Sequence, residues 1–237
     1  MDSLNFAQIW DSFTFALQFL PNTLILLVVP FLISLVLGLF IAIIRIWNVP
    51  VLAKLFQVLF AIMKGIPVYL LLVVSNLMYI LYFDIFMQSL GLPFRRENIN
   101  VISFAIFILV LAFLPGISEI IRGGLLSVSY GQYEAGYAAG LTRTQTMRRI
   151  ILPQMVPEII PGITSTLIGL LKAGALAYTV GVTDIMNAAV RIASRAYDLL
   201  EGYIAAAIIY WGLSILIEMI MGQVSKYAGA YQKQLRV

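Results

Sequence analysis

Ser165 and Lys172 stand seven residues apart and share one face of any helix that holds them both. A serine beside a lysine is one route to an activated nucleophile. That chemistry also needs a strained turn to present the serine, and no G-x-S-x-G elbow accompanies this one. The rest of the chain offers little for catalysis. It has no histidine and no cysteine, so the commonest general base, thiol nucleophiles, disulfides and Cys-ligated metals are all excluded. A phosphate-cradling Walker A loop needs a Gly-Lys pair, and none occurs. Neither an enzyme nor an ATP-binding protein is expected. Two features remain: the lone Lys172 in an apolar run, and a polar, cation-rich segment from Glu134 to Pro153 between two apolar ones.

The elements that hold these features are set by composition. Of the 237 residues, 62% are hydrophobic and only 11% charged, with a mean hydropathy of +0.99. Ser12–Ile44, Gly65–Phe83 and Ile99–Ser118 carry no charge at all. A helix needs about 20 apolar residues to cross the hydrocarbon, so the chain reads as an all-α integral membrane protein. Barrel strands would show shorter, alternating segments. We expect about five transmembrane helices: within Pro21–Ile44, Gly65–Phe83 and Ile99–Ser118, from near Pro157 to Val182, and over Gly202–Met221. A membrane-hugging helix over Val51–Met63 precedes the second. No internal repeat is evident, so residues 1–237 read as one permeation-type domain with a polar loop at about 129–153. Asp2 and Asp11 stand where a signal peptide would carry cations.

Orientation follows from the basic residues. With an outside N-terminus, the inner side collects Arg45, Lys54, Lys64, Arg122, Arg143, Arg148, Arg149, Lys226, Lys233 and Arg236. The outer side keeps Arg95, Arg96, Arg191 and Arg195, offset by five acids. The positive-inside rule therefore puts the C-terminus and the Glu134 loop in the cytoplasm. The net charge of +4 is accounted for by these loops and calls for no nucleic acid.

The loop has turn chemistry of its own. Ser129 with Gln132, and Thr142 with Gln145, fit capping boxes that would open two short helices. Gly140 between them suits a left-handed stop. The first helix carries small residues at Ala135, Gly136, Ala138 and Ala139, with Tyr133 and Tyr137 four apart on one face. Small side chains allow a close approach, and tyrosines give rigid contact area with polar tips. A loop this long is uncommon unless functional. The residues alone support a docking loop.

The spacing of Glu134-Ala135, Gly140, Ile150, Leu152 and Pro153 resembles the E-A-A, G, I-x-L-P loop of ABC-importer permeases. Lys64-Gly-Ile-Pro67, Ser118 to Val128, Leu171 to Leu176 and Val180 to Asp184 are similar, in the same order, to runs of the polar amino acid uptake family. The resemblance implies a type I permease fold. It also implies a second permease subunit, identical or sibling, two ATPase subunits that bind ATP and Mg, and an extracytoplasmic solute-binding protein. The ATPase-coupling residues would be Tyr133, Glu134, Ala135, Gly136, Tyr137, Gly140, Ile150, Leu152 and Pro153.

A lysine at a helix centre costs about 2.5–3.5 kcal/mol on insertion scales. Lys172 thus needs a substrate carboxylate in the translocation route, an ion pair with Glu218 or Glu119, or a path to water, and these readings stand open. Tyr69, Thr166, Ala173 and Thr179 are further candidates for the route. Where the family carries acids, this chain has Ala173 and Thr166, which favours a neutral, zwitterionic or cystine-like amino acid over a basic one. An ion-coupled secondary transporter is the alternative, with Glu218 as its one deep acid.

Overall fold

A computed structural model describes residues 4–234, with side chains described to Gly229. Asp2 and Arg236 lie outside the described residues, as does the side chain of Lys233. The described chain is helical, and five of its helices are long and apolar enough to span a membrane. In order these helices are α1 (Phe6–Leu17), α2 (Leu20–Ile46), α3 (Leu52–Lys64), α4 (Val68–Ser89), α5 (Val101–Ser127) and α6 (Tyr130–Ala138). There follow α7 (Arg143–Thr146), a π-helical turn (Met147–Ile151), α8 (Leu152–Gly174), a 3₁₀ segment (Ala175–Val180), α9 (Ile185–Arg195) and α10 (Leu199–Gln234). The candidate spans are α2, α4, α5, the continuous run Arg143–Val180, and Leu199–Gly229 of α10.

Lipid offers helices no hydrophobic drive to associate, so close backbone packing has to hold them. Three glycines supply it at two crossings. A β-carbon on Gly38 of α2 would meet Ile117 and the Ser118 backbone of α5 at 3.1–3.2 Å. One on Gly124 of α5 would overlap Ile159 of α8, and one on Gly162 of α8 would press on Ile120 at 3.1 Å. The α5–α8 crossing is thus reciprocal: each helix puts an isoleucine over the other's glycine. Around these crossings Leu26, Leu72, Ile108, Leu109, Leu170 and Leu171 form the central core.

The fourth span departs from the expected start near Pro157. Helix runs without a break from Arg143 through the π turn, so the span is entered from the loop side well before that proline. Pro153 follows directly on the π turn inside this continuous run, and it has no N–H to donate to the turn before it. Pro157 and Pro161 are carried inside the helix.

Two helices were not foreseen, α1 and α9. Together with the start of α10 they build a corner from Ala16, Ile185, Ala188, Ala189, Ala206 and Ile209. The corner depends on Asp184. Its Oδ1 accepts from the Asn187 amide at 3.0 Å, capping α9, and its Oδ2 accepts from the Tyr210 hydroxyl at 2.6 Å. Burial pushes the Asp184 carboxyl above the usual carboxylate range, against the opposing pull of the Tyr210 bond. The Ile185 amide donates to Thr23 Oγ1, and Asn22 Nδ2 donates to the Thr183 carbonyl, which fasten the corner to α2.

Asp184→Ala removes both the cap and the acceptor for a buried hydroxyl. A lost N-cap costs about 1 kcal/mol and an orphaned buried donor about 1–3 kcal/mol. Thermal unfolding of the detergent-purified chain should show a clear destabilisation, smaller for Asp184→Asn, which keeps an acceptor. Identical melting of the alanine variant and the unsubstituted protein would contradict this account of the corner.

Candidate coupling surface and membrane route

Helix α6 is built by its termini. Its C-terminal end closes as a Schellman turn: the Leu141 amide donates to the Gly136 carbonyl and the Gly140 amide to that of Tyr137. Gly140 has φ +79°, a left-handed conformation that glycine adopts without penalty. Both bonds of the second capping box are present, Thr142 Oγ1 accepting from Gln145 N and Gln145 Oε1 from Thr142 N. The first box is not formed. Ser129 occupies the N-cap with extended backbone, but its side chain makes no capping bond. Gln132 is engaged elsewhere, its Oε1 accepting from Gln154 Nε2 of α8 at 3.1 Å.

The small residues of α6 divide between two jobs. Gly136 is buried against the chain's own next turn: a β-carbon there would lie 2.6 Å from Thr146 Cγ2, 2.8 Å from its Oγ1 and 3.2 Å from Ile150 Cδ1. The expectation that Gly136 serves close approach to another protein is therefore corrected; its space is taken internally. Tyr133 also turns inward. With Ile150 and Leu152 it packs on Ala42 of α2, Ile117, Ile121 and Leu125 of α5, and Ile151 and Met155 around the start of α8. Burial pushes the Tyr133 phenol up and keeps it neutral. Tyr133 and Tyr137 thus do not form one free face. Glu134, Ala135, Tyr137, Ala138, Ala139 and Gly140 remain exposed, and Pro153 is half-buried.

The loop therefore has an inner face fixed to three spans and an outer face left open. Beside it lies an ion cluster. Glu119 and Arg122, three residues apart on α5, pair at 3.1 Å, and Arg45 of α2 reaches the same carboxylate at 2.6 Å, with Lys64 of α3 at 4.0 Å. Four residues from three helices meet there, all at the end of the bundle where α6 lies.

The proposed route residues are more scattered. Lys172 is exposed and makes no ion pair with Glu218 or Glu119 among the described residues. Thr166 donates to the Gly162 carbonyl and Thr179 to that of Leu176, so both hydroxyls turn back onto their own helices. Ala173 is buried, and Tyr69 is exposed on α4. Ser165 donates to Pro161 and makes no pair with Lys172.

The family described as "Binding-protein-dependent transport system inner membrane component" matches residues 34–227. The chain belongs to this family. It is a multi-pass membrane component, and its relatives agree. It is 33% identical over 204 residues to the probable amino-acid ABC transporter permease protein PatM of Vibrio harveyi, covering 86% of this chain and 87% of that one. It is 32% identical over 200 residues to the L-cystine transport system permease protein TcyL of Bacillus subtilis, covering 84% and 81%. Among solved structures, a chain of an amino acid ABC transporter crystallised with histidines superposes with a TM-score of 0.76 at 24% identity, over 95% of this chain and all of that one. The shared architecture is that of a type I importer permease.

Filling the space at Gly136 should loosen the loop from its own support. Gly136→Val must displace Thr146 or lift α6, and overpacking of this kind costs about 1–3 kcal/mol. Trypsin cleavage at Arg143 in the detergent-purified protein should accelerate several-fold. An unchanged cleavage rate would show that the contact does not hold α6 down.

Proposed function

We propose that this chain is the permease subunit of an ATP-driven importer for an amino acid, working as a pair with an identical or sibling subunit. Two ATPase subunits on the cytoplasmic side bind ATP and Mg, and a solute-binding protein delivers the substrate outside. The observation that carries the reading is the two-sided α6: an exposed outer face of Glu134, Ala135 and Tyr137 on a helix whose inner face packs on the π turn leading into α8, with Tyr133 joining the cluster shared by α2, α5 and α8. A partner that grips the outer face moves the spans.

The loop end holds Arg45, Lys64, Arg122, Arg143, Arg148 and Arg149, while at the opposite end Arg95, Arg96, Arg191 and Arg195 are offset by Asp84, Glu97, Asp184, Asp198 and Glu201. That split favours a cytoplasmic α6, an outside N-terminus and a cytoplasmic C-terminus. Approach of the ATPases on ATP binding would press α6, and the spans would rock between outward- and inward-open arrangements, a population shift driven by differential nucleotide affinity. The amino-acid substrate is supported by the family relatives. A neutral or cystine-like side chain is favoured by Thr166 and Ala173, which put no acid in the route, and Lys172 would meet the substrate carboxylate.

Gly140→Val forces a β-branched residue into left-handed backbone, which it resists. The complex should still co-purify with its ATPase, while uptake falls several-fold. Unchanged uptake and unchanged substrate-stimulated ATPase activity would count against coupling through α6. For Lys172, full-rate uptake by the Lys172→Met variant would end its substrate role; the expected result is a raised KM with assembly intact.

A further inference from the structure

Where α2 ends and α3 packs across it, Arg45, Asn48, Ala53, Lys54, Gln57 and Arg122 line a cavity of about 370 Å3. Five of these six side chains are polar and three are cationic. Behind them the only carboxylate of the cluster is Glu119, and it is already shared among Arg45, Arg122 and Lys64. Four cations face one acid. Arg45 Nη1 is buried on Glu119 Oε1 at 2.6 Å. Lys54 makes no ion pair among the described residues.

Helix α3 supplies a second feature. At 13 residues it is too short to span. Ala53 and Phe60 turn into the protein, while Leu52, Leu55, Leu59 and Ile62 recur at helical spacing as an exposed apolar stripe. Lys54 and Gln57, on the polar face between, open into the cavity. A cationic hollow bordered by an apolar stripe has the two halves of a phospholipid's complement.

We propose that this cavity binds the phosphate group of an anionic phospholipid, whose acyl chains run along the α3 stripe. Basic pockets at the cytoplasmic ends of membrane helices suit such headgroups. The proposal rests on the orientation given under the proposed function only in assigning the lipid to the cytoplasmic leaflet. A bound lipid there would brace α3 against α2 and α5 beside the Glu119 cluster.

The test uses the full chain in detergent, with fluorescent phosphatidylglycerol, phosphatidylcholine and inorganic phosphate as probes. Phosphatidylglycerol should bind more tightly than phosphatidylcholine. Lys54→Gln should weaken it about fivefold, the equivalent of the roughly 1 kcal/mol a basic residue contributes at an anionic surface. Lys54→Arg should restore binding, and Gln57→Glu should weaken it independently. Equal binding of the two lipids, or no effect of either weakening substitution, overturns the proposal. Displacement of phosphatidylglycerol by millimolar inorganic phosphate would make this a free-phosphate site and overturn the lipid assignment. Because the chain is free of cysteine, Gln57→Cys in intact cells reads orientation separately. Labelling from outside would sink the orientation and leave the lipid result standing.

Discussion

Gly136 lacks a side chain, and the space so left is filled by Thr146 and the tip of Ile150. This contact sits at the inner end of a continuous apolar cluster. Tyr133 extends it toward α5, Ile151 and Met155 toward α8, and Ala42 toward α2. Protein interiors are packed as densely as organic crystals and transmit displacement with little compression. A short exposed helix so seated can pass a push to several spans at once. Were α6 tethered only by its two connections, the same push would be absorbed in loop motion.

The same device recurs deeper in the bundle. Gly124 under Ile159 and Gly162 under Ile120 let α5 and α8 approach closely, and Gly38 does this for α2 and α5. These three helices are the ones that carry the loop cluster. Charge completes the arrangement, because Glu119 links α2, α3 and α5 at the end where α6 docks. By contrast α4 is buried over little of its length and α10 over a small part of its span. The cluster beside α6 therefore belongs to α2, α5 and α8, and α4 and α10 are the less covered helices.

Much of this was readable in the chain. Charge-free runs of spanning length marked the membrane helices, and turn chemistry marked the loop: Gly140 takes the left-handed backbone, and Thr142 with Gln145 forms the expected box. What escaped reading has physical causes. Ser129 and Gln132 had the right types for a cap, but Gln154, distant in sequence, took the glutamine. Helix α9 has its buried residues at Ile185, Ala188, Ala189 and Ala193, mostly alanines too small to stand out, with Arg191 among them. Its signals were Asp184 as an N-cap and the helical spacing of those residues. The direction faced by Gly136 and Tyr133 was hidden too, since a small residue looks alike whether its space is taken by its own chain or by another.

The central claim is that α6 and the inner ends of α5 and α8 form one mechanical body. Amide hydrogen exchange on the intact chain in lipid nanodiscs measures this directly. Residues 131–138 should be protected to the same degree as the amides of Ile121–Leu125 and Met155–Ile159, opening with them as a single unit. Exchange of residues 131–138 at the rate of an unstructured peptide, with the spans still protected, would contradict it.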